Sequence, residues 1–391
     1  MRIFFSAGEP SGDQHTAILI SELRRLCPGA EFEGLGGPAM REQGCRLLFE
    51  LTELAVMGFL RVVPLLAQFR KLVKQAEAHF DTNPPDAVVL VDFPGFNWWI
   101  ARAAKSRGIP VFYYLPPQLW AWAPWRIRRV RKWVDHVICS LPFEFEWYKQ
   151  RGIPATWVGH PFFDEVAAHS LNSAAMMALR PPSSHDRVVA VLPGSRDHEV
   201  QKNWPVMLRT MHAVAQRVSG IRWIVGNYKE VHMHQCAGLL AESGLNLNVE
   251  FVAGSTSEVI QSADCCLMVS GSISLELLAR HKPGVVLYRA PRIGCFAARF
   301  LMNCRFITLT NLIAGKEVMP EYISSGDPSG DIQSMASHLV EWLSDEQTLK
   351  RRISELQKLA DSAAQTGATG RAARLIFSQL AEGKDSLPAA A

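Results

Sequence analysis

Five consecutive apolar residues, Ala87-Val88-Val89-Leu90-Val91, form the clearest strand signal in the chain and lead directly to the carboxylate of Asp92. A strand without polar alternation is typical of a parallel sheet that helices cover on both faces. A second run of this kind, Val188-Val189-Ala190-Val191-Leu192, leads to a small loop at Pro193-Gly194-Ser195. Helical patterns follow both loops, so the two stretches predict parallel strand–loop–helix units.

Short apolar runs alternate with amphipathic segments on either side of these stretches. Further strands are predicted over residues 3–6, 31–34, 111–114, 136–140, 156–158, 223–225, 249–252, 265–269 and 284–288. The alternation lapses between residues 164 and 186, which end in a Pro- and Ser-rich stretch. From residue 332 onward the pattern is helical.

The predicted fold class is α/β, with two doubly wound Rossmann-like domains that face a cleft. The expected domain limits are 1–165 and 187–345, with a linker at 166–186. The C-terminal helices, at 346–391, are expected to pack across domains or subunits. Sheets of this type bind ligands where their strands end, so the cleft is expected to hold the site.

The composition excludes several classes of protein. The 391 residues are 48% apolar and 20% charged, which is typical of a globular chain and not of a disordered or fibrous one. The net charge of +4 is too small to indicate a nucleic-acid partner. No apolar run approaches the ~20 residues of a membrane-spanning helix, and the N-terminus lacks a signal-peptide pattern. We therefore expect a soluble intracellular protein.

Neither the cysteines nor the histidines form a recognisable metal site. The eight cysteines contain no Cys-x-x-Cys pair, which favours reduced thiols. His232 and His234 could share one face of a strand but not of a helix, and no third ligand is evident. We expect no metal and no other cofactor.

Polar loops follow two predicted strands of the first domain. The loop Ser6-Ala7-Gly8-Glu9-Pro10-Ser11-Gly12-Asp13 is acidic, which suits the hydroxyl groups of a sugar better than a bare phosphate. The alternative is an ordinary turn, with Asp13 in the first turn of a helix whose dipole favours a carboxylate. Asp92 is expected at the rim of the cleft among apolar neighbours, where a raised pKa suits a general base. Its alternative role is to cap the following helix.

Two loops of the second domain are typical of nucleotide binding. In Leu192-Pro193-Gly194-Ser195-Arg196, the amides of a helix start and an Arg side chain could hold a diphosphate. In Ser270-Gly271-Ser272-Ile273-Ser274-Leu275-Glu276, hydroxyl groups and a glycine open a helix. The Glu276 carboxylate could accept the two hydroxyls of a ribose. Each loop could instead be a capped helix start without a ligand.

Two segments combine positive charge with large apolar side chains. Residues 120–133 place five positive charges beside four tryptophans, and residues 289–305 place arginines beside Phe and Leu side chains. Such segments are typical of proteins that lie on an anionic bilayer, and a solvated basic helix face is the alternative. The apolar run at 54–60 could hold acyl chains or pack in the core.

Ten short motifs occur along the chain. They are SAGEPSGD at 6–13, GLGGPAM at 34–40, LAVMGF at 54–59, DFPGFN at 92–97, PPQLWAW at 116–122, LPFE at 141–144, VGHP at 158–161, LPGSR at 192–196, SGSISLE at 270–276 and TNLIAGKEVMPE at 310–321. In their order and spacing they resemble the lipid-A-disaccharide synthase family, which are glycosyltransferases of the GT-B architecture.

The resemblance implies transfer of a 2,3-diacylglucosamine unit from its UDP donor to 2,3-diacylglucosamine 1-phosphate. The anomeric centre is inverted, a β-1′,6 bond forms, and UDP is released. Asp92 is implied as the general base. The residues implied in substrate or nucleotide binding are Glu9, Ser11, Asp13, Met57, Gly58, Gln118, Gly194, Ser195, Arg196, Ser270, Gly271, Glu276, Asn311 and Glu321. A homodimer and a cytoplasmic location, peripherally associated with the inner membrane, are implied as well.

Three positions depart from the family pattern. Arg61 stands where many members have Glu, Gly95 replaces an Asp seen in some, and Gln14-His15-Thr16-Ala17 replaces a run of small residues. They concern acyl-chain and acceptor preference more than the reaction type. Two alternatives stay open: a GT-B enzyme on soluble UDP-sugars, like a UDP-GlcNAc 2-epimerase, and a membrane-surface binder without catalytic activity.

Overall fold

The computed structural model describes residues 1–54, 65–181, 186–290 and 304–385. The chain divides into two compact units. Unit 1 comprises Met1–Asp164 and Thr366–Ala391, and unit 2 comprises Glu165–Gln365. The chain therefore leaves unit 1, builds unit 2 and returns to unit 1 for its last helix.

Unit 1 is built on a parallel sheet of seven strands. The strands are β1 (Arg2–Ala7), β2 (Glu31–Gly36), β3 (Arg46–Glu50), β4 (Ala87–Val91), β5 (Val111–Tyr114), β6 (His136–Cys139) and β7 (Ala155–Trp157). Their order in the sheet is β3-β2-β1-β4-β5-β6-β7. Because Ala7 is in register with Val91, the loops that follow β1 and β4 begin side by side.

Unit 2 has a parallel sheet of six strands. The strands are β8 (Arg187–Leu192), β9 (Ile221–Asn227), β10 (Val249–Ala253), β11 (Cys265–Val269), β12 (Gly284–Arg289) and β13 (Glu321–Ser324). Their order is β10-β9-β8-β11-β12-β13. Strand order reverses beside the first strand in both units, so the predicted pair of doubly wound sheets is confirmed.

Helices connect the strands in both units. They are α1 (Pro10–Leu26), α2 (Pro38–Glu42), α3 (Leu66–Thr82), α4 (Pro94–Lys105), α5 (Ile127–Trp133), α6 (Pro142–Lys149), α7 (Pro161–Ala168), α8 (Ser173–Leu179), α9 (Asp197–Ala215), α10 (Glu230–Ser243), α11 (Thr256–Ser262), α12 (Ile273–Ala279), α13 (Leu309–Ala314), α14 (Ser329–Ser344), α15 (Glu346–Ala363) and α16 (Ala368–Asp385). Within the described ranges, none of them is both long and apolar enough to cross a bilayer.

Both faces of the unit 1 sheet are buried. Successive residues of a strand point to opposite faces, so Phe4 and Val88 join one apolar cluster while Phe5 and Val89 join another. The second cluster includes Ile376 and other side chains of α16, which packs beside α1. The continuous apolar runs in the sequence follow from this coverage on both faces.

The last helix belongs to unit 1, although residues 346–391 were expected to form one group of helices that packs across domains or subunits. Asp164 accepts hydrogen bonds from the amides of Gly367 and Thr369 at the start of α16. Arg371 Nε donates to the carbonyl oxygen of Val158 at 2.8 Å. By contrast, α15 lies in unit 2, where it contacts α12.

The stretch expected as a linker, 166–186, contains the helix α8, and its described residues pack within unit 2. The amide of Asn172 donates to Glu258 Oε1 at 3.0 Å, and Arg180 pairs with Asp264 at 3.0 Å. These hydrogen bonds attach the segment to α11 and to the start of β11. Its small and polar residues therefore form an outer layer of unit 2.

The predicted strands are all present, but two strands of the structure, β3 and β13, were missed. Both lie at sheet edges. β3 is half-buried or exposed along its length and carries charged residues at both ends, Arg46 and Glu50. β13 has only four residues. Edge strands of this kind lack the continuous apolar pattern on which the predictions were based.

We expect Ile376→Ala to lower the free energy of unfolding of unit 1 by about 2–5 kcal/mol, because the side chain is fully buried and its removal leaves a cavity. Urea unfolding measured by circular dichroism tests this. Arg374→Ala, on the exposed face of the same helix, is the control and should change stability by less than about 0.5 kcal/mol. Equal effects of the two substitutions would contradict the packing of α16 on unit 1.

Candidate functional site

Asp92 and Phe93, which follow β4, have backbone conformations that are rare for residues with side chains. Their φ angles are 44° and 45°, in the left-handed region that costs L-residues about 1–2 kcal/mol each. Hydrogen bonds stabilise this turn. Asn97 Nδ2 donates to the carbonyl oxygen of Asp92 at 2.7 Å, and the hydroxyl of Tyr113 donates to the same oxygen at 2.8 Å. Side chains from α4 and β5 thus hold the turn that presents Asp92.

Asn97 also joins the ends of β1 and β4. Its Nδ2 donates to the carbonyl oxygens of Ser6 at 3.1 Å and Val91 at 3.2 Å, and its Oδ1 accepts from Ser6 Oγ at 2.6 Å. Ser6 and Asn97 are completely buried. Buried polar groups in a closed set of hydrogen bonds restrict motion, so the two loops are held in one arrangement.

The loop after β1 packs closely against the loop after β4. A Cβ on Gly8 would lie 2.1 Å from the ring of Phe93. Only glycine leaves room for the ring at this position. The ring of Phe93 also packs near Phe69 and Phe96, with centroid distances of 6.2 Å. Phe93, the residue after Asp92, therefore packs against the core, which fixes the direction in which the chain leaves β4.

The environment of the Asp92 carboxyl group suits a general base. Burial raises the pKa of Asp92, while a hydrogen bond from the Phe93 amide and the nearby His15 act in the opposite direction with smaller effect. A carboxylate whose pKa is raised accepts a proton more readily. The prediction that Asp92 is a general base rests on this environment and stays a prediction.

His160, a half-buried histidine, interacts with His15, as Asp92 does. Burial, and to a smaller extent His15, lowers the pKa of His160 to about 3. The amide of Phe162 donates to His160 Nδ1 at 3.2 Å, which places the single ring proton on Nε2. His160 is therefore a neutral hydrogen-bond donor near the start of α7.

The acidic loop after β1 contains one carboxylate whose oxygens already accept hydrogen bonds within unit 1. Asp13 was expected to bind substrate, but its carboxylate is buried and accepts hydrogen bonds from the amides of Gly37, Ala39 and Met40 at 2.8, 2.9 and 3.1 Å. It caps α2, because the first amides of a helix lack partners within the helix. Glu9 precedes α1 and is half-buried.

The other residues expected in substrate binding in unit 1 lie in exposed positions or outside the described residues. Ser11 is exposed in the first turn of α1, and Gln118 is exposed in the segment that follows β5. Met57 and Gly58 fall outside the described residues, as do most of the apolar run at 54–60 and of the basic segment at 289–305.

In unit 2 the expected diphosphate loop, Gly194 to Arg196, holds an internal carboxylate. Glu199 Oε2 accepts from the amides of Ser195 at 3.1 Å and Arg196 at 3.3 Å, and Glu199 Oε1 accepts from Arg196 Nη1 at 2.9 Å. Gly194 has a φ of 127°, and a Cβ there would lie 2.6 Å from Glu199 Cβ. The loop thus holds the carboxylate of a side chain on its own helix, and its binding of a diphosphate stays a prediction.

The loop after β11 presents Glu276 with one oxygen occupied. Its Oε1 accepts from Ser257 Oγ at 2.6 Å and from Arg280 Nε at 2.9 Å. Within the described chain, Oε2 makes no hydrogen bond. Ser270 Oγ donates to the carbonyl oxygen of Ile307, and Gly271 has open space where a side chain would be. Glu276 is thus fixed through one oxygen and can accept a ligand hydroxyl through the other.

Asn311 and Glu321 were expected to contact the nucleotide, and the structure uses both internally. Asn311 is completely buried; its Oδ1 accepts from the amides of Val318 and Met319, and its Nδ2 donates to Glu321 Oε1 at 2.8 Å. Glu321 also accepts from the amides of residues 307 and 308. These side chains shape the segment before α13, and their direct contact with UDP stays a prediction.

Four residues with defined roles at these positions were not predicted: Asn97, Tyr113, Glu199 and Arg280. Glu199 had a sequence signal, since an acidic residue three positions after a helix start is the spacing of a capping box. Arg280 lies four residues after Glu276, which is the spacing of a helical ion pair. Nothing in the local sequence connects Tyr113 to Asp92, because the contact joins two neighbouring strands.

Over the described ranges, no group of three or more His, Cys, Asp or Glu side chains is placed to hold a metal ion. His232 and His234 both lie on α10. His232 is buried, and its Nε2 lies 2.8 Å from Asp197 Oδ1. The contact joins the starts of α9 and α10 and gives His232 a structural role.

Comparisons with known proteins agree with these observations. The lipid-A-disaccharide synthetase family model matches residues 3–375. Lipid-A-disaccharide synthase 1 of Legionella pneumophila (strain Philadelphia 1) is 31% identical over 97% of this chain and 98% of that protein. A co-structure of S. aureus MnaA with UDP has a TM-score of 0.62 at 14% identity and covers 97% of this chain and 96% of that one. The kitacinnamycin glycotransferase has a TM-score of 0.60 at 15% identity, over 97% and 98%.

The fold is of the GT-B glycosyltransferase class. It has two doubly wound parallel sheets, and the two solved structures named above resemble it over nearly the whole chain. The sequence matches identify one family within this class, because they extend over nearly the whole chain. The chain belongs to the lipid-A-disaccharide synthetase family.

We expect Asn97→Ala to lower the free energy of unfolding by about 1–3 kcal/mol, because it leaves the buried Ser6 hydroxyl and several carbonyl oxygens without a partner. Chemical denaturation measures the change. Gly95→Ala, in the same turn, is the matched control, since a Cβ there meets no atom within 4 Å. A stability of Asn97→Ala equal to that of the control would show that the strand ends are held by other contacts.

Proposed function

We propose that the protein is a lipid-A-disaccharide synthase, as its relatives are. In this proposal it transfers 2,3-diacylglucosamine from the UDP donor to O6 of 2,3-diacylglucosamine 1-phosphate. The products are the β-1′,6-linked disaccharide 1-phosphate and UDP. The observation that carries the proposal is the turn at Asp92, where Asn97 and Tyr113 hold the backbone and burial raises the pKa of the carboxyl group.

The proposed reaction assigns one proton transfer to Asp92. Its carboxylate accepts the proton of the 6-hydroxyl as the oxygen bonds to the anomeric carbon from the side opposite UDP. The bond from that carbon to the diphosphate oxygen breaks, and its electron pair leaves with UDP. Displacement from the opposite face inverts the anomeric centre. The held turn is important because a general base must lie within hydrogen-bond reach of the proton that it removes.

Unit 2 supplies the proposed binding site for the UDP group. Arg196 is exposed, and its guanidinium has N–H groups beyond the one that donates to Glu199. It can therefore offset charge that develops on the diphosphate as the sugar leaves. The free oxygen of Glu276 is proposed to accept a ribose hydroxyl. With Arg196 and backbone amides as donors, the proposal requires no metal ion.

We expect Asp92→Asn to lower kcat by about 10²–10⁴-fold and to leave UDP affinity unchanged, since the amide cannot accept the proton. The assay measures UDP release with both acylated substrates, and calorimetry measures UDP binding. In the wild type, kcat/KM should fall on acidification at a higher pH than for an ordinary Asp, because burial raises the pKa of this base.

The matched control is Asp81→Asn, an exposed carboxylate of unit 1 that pairs with Arg107. It should retain full turnover. Full activity of Asp92→Asn would disprove the assigned role. Turnover unchanged by removing the acyl chains would instead favour an enzyme of soluble UDP-sugars, and UDP binding without any turnover would favour a catalytically inactive binder.

We also propose that unit 1 contacts an anionic membrane surface, where both acylated substrates reside. Trp99, Trp122 and Trp125 are 54%, 46% and 64% exposed, and the guanidinium of Arg126 lies 4.3 Å over the Trp122 ring. Exposed Trp beside Arg is typical of proteins at bilayer interfaces. Of the four tryptophans in 120–133, Trp120 is buried and Trp133 is half-buried. These two side chains are therefore not part of the proposed membrane-contacting surface.

We expect replacement of Trp122 and Trp125 by Ser to weaken binding to phosphatidylglycerol-containing vesicles about tenfold, because two exposed apolar anchors are lost. Co-sedimentation measures the affinity, with phosphatidylcholine vesicles as the neutral comparison. Tyr228→Ser, an exposed aromatic of unit 2, is the control. If Tyr228→Ser weakens binding as much, or if the wild type does not bind, the proposed surface is wrong.

The expected homodimer stays a prediction.

A further inference from the structure

A second carboxyl group is buried at the edge of the unit 1 sheet that presents Asp92. Glu144 lies in the first turn of α6, which follows β6, and its residue is 1% exposed. β4, β5 and β6 are neighbours in the sheet. The loops after these strands therefore begin at one edge, two strand spacings apart at most. The proposed mechanism assigns no role to Glu144.

The carboxyl group of Glu144 is buried without a compensating positive charge in the described part of the chain. Trp120 Nε1 donates to Glu144 Oε1 at 3.2 Å. Oε2 is buried and has no hydrogen-bond partner, and no cation pairs with Glu144 among the described residues. A buried carboxylate without a cation is costly, and such a group retains its proton instead.

The surroundings of Glu144 favour the protonated form. Burial raises the pKa of Glu144 to about 8; the indole of Trp120 and the amides of Ser140 and Leu141 act in the opposite direction, and the charge of Asp92 adds to the increase. The other titratable groups that face it are Cys139 on β6 and Tyr148 on α6. Burial raises the pKa of both, so neither brings a charge near Glu144 at neutral pH.

Glu144 connects the Trp120 segment to α6. The Trp120 ring makes an edge-to-face contact with Phe143, with a centroid distance of 4.8 Å, and Tyr148 Oη donates to the carbonyl oxygen of Pro117 at 3.1 Å. The segment 116–122 follows β5, the strand beside β4, and contains the exposed Gln118. A change at Glu144 therefore alters the segment that follows β5, the neighbour of the strand that leads to Asp92.

We propose that Glu144 is a positioning residue that acts as a neutral carboxylic acid, holding the Trp120 segment in place and leaving Asp92 as the charged acid of this edge. The role of Glu144 in turnover rests on the proposed function. Glu144 retains its own proton during the reaction, while Asp92 exchanges a proton with the acceptor. Two carboxyl groups whose environments separate their pKa values can hold such different roles. When Glu144 ionises at alkaline pH, its buried charge has no cation to pair with in the described chain, and the packing against the segment is disturbed.

Three variants test the proposal through the pH dependence of kcat, measured by UDP release. Wild-type kcat should fall about fivefold between pH 8 and pH 9, as the protonated fraction of Glu144 declines. Glu144→Ala should lower kcat at pH 7 by about tenfold or more. Glu144→Gln, a neutral side chain of the same size, should rescue most of this loss and abolish the alkaline decline. Glu146→Gln, exposed on the same helix, is the matched control and should keep the wild-type profile.

Two outcomes would overturn the proposal: a Glu144→Gln variant as inactive at pH 7 as Glu144→Ala, or one with the alkaline decline of the wild type. A second readout does not need turnover. The folded state holds a proton on Glu144 up to about pH 8, and the unfolded state loses it near the ordinary pKa of Glu. Wild-type stability should therefore fall as pH rises between these values.

Melting temperatures of the wild type and Glu144→Gln should accordingly differ more at pH 8 than at pH 5, with the variant the more stable at pH 8. A constant difference across this range would overturn the neutral state of Glu144. If the wild type shows no turnover at all, the proposed function fails, and the melting comparison still decides the protonation state.

Discussion

The set of hydrogen bonds around Asn97 is the constraint on which the unit 1 site depends. One buried amide joins the last residues of β1 and β4, and with Tyr113 it holds a turn of unfavourable φ at Asp92. Parallel strands bring their carboxyl ends to one edge of a sheet, but they do not determine how the chain turns there. The amide of Asn97, the hydroxyl of Tyr113 and the half-buried ring of Phe93 determine that turn, so the position of one carboxyl group depends on three other side chains.

The carboxyl groups of the candidate site residues differ in how many hydrogen bonds their oxygens already accept. Asp13 and Glu321 accept hydrogen bonds from backbone amides and hold loops together. Glu276 uses one oxygen for Ser257 and Arg280 and leaves the other available. Glu199 fills an anion-binding loop from within. Residue type and motif do not distinguish these cases, because the difference lies in how many hydrogen bonds surrounding groups donate to each oxygen.

Much of the fold could be predicted, because apolar runs such as Ala87–Val91 reveal strands that are covered on both faces. The strands β3 and β13 were missed since edge strands are only partly buried. The return of the last helix to unit 1 could not be predicted, because the pattern of α16 shows an amphipathic helix but not the sheet that buries it. Of the site, the positions of Asp92, Arg196 and Glu276 beside strand ends followed from strand–loop–helix order. The internal roles of Asp13, Asn311 and Glu321 did not, since their partners lie in other loops.

The sequence by itself determined the family, the two parallel sheets and the edges at which the polar loops lie, since these follow from residue order and the periodicity of apolar side chains. Only the tertiary structure decided which carboxyl groups are already satisfied, which one is buried without a cation, and where the last helix packs. Those properties arise from contacts between segments far apart in the chain, as between Asp164 and Thr369. Burial and hydrogen bonding are properties of the folded surroundings, and local sequence does not contain them.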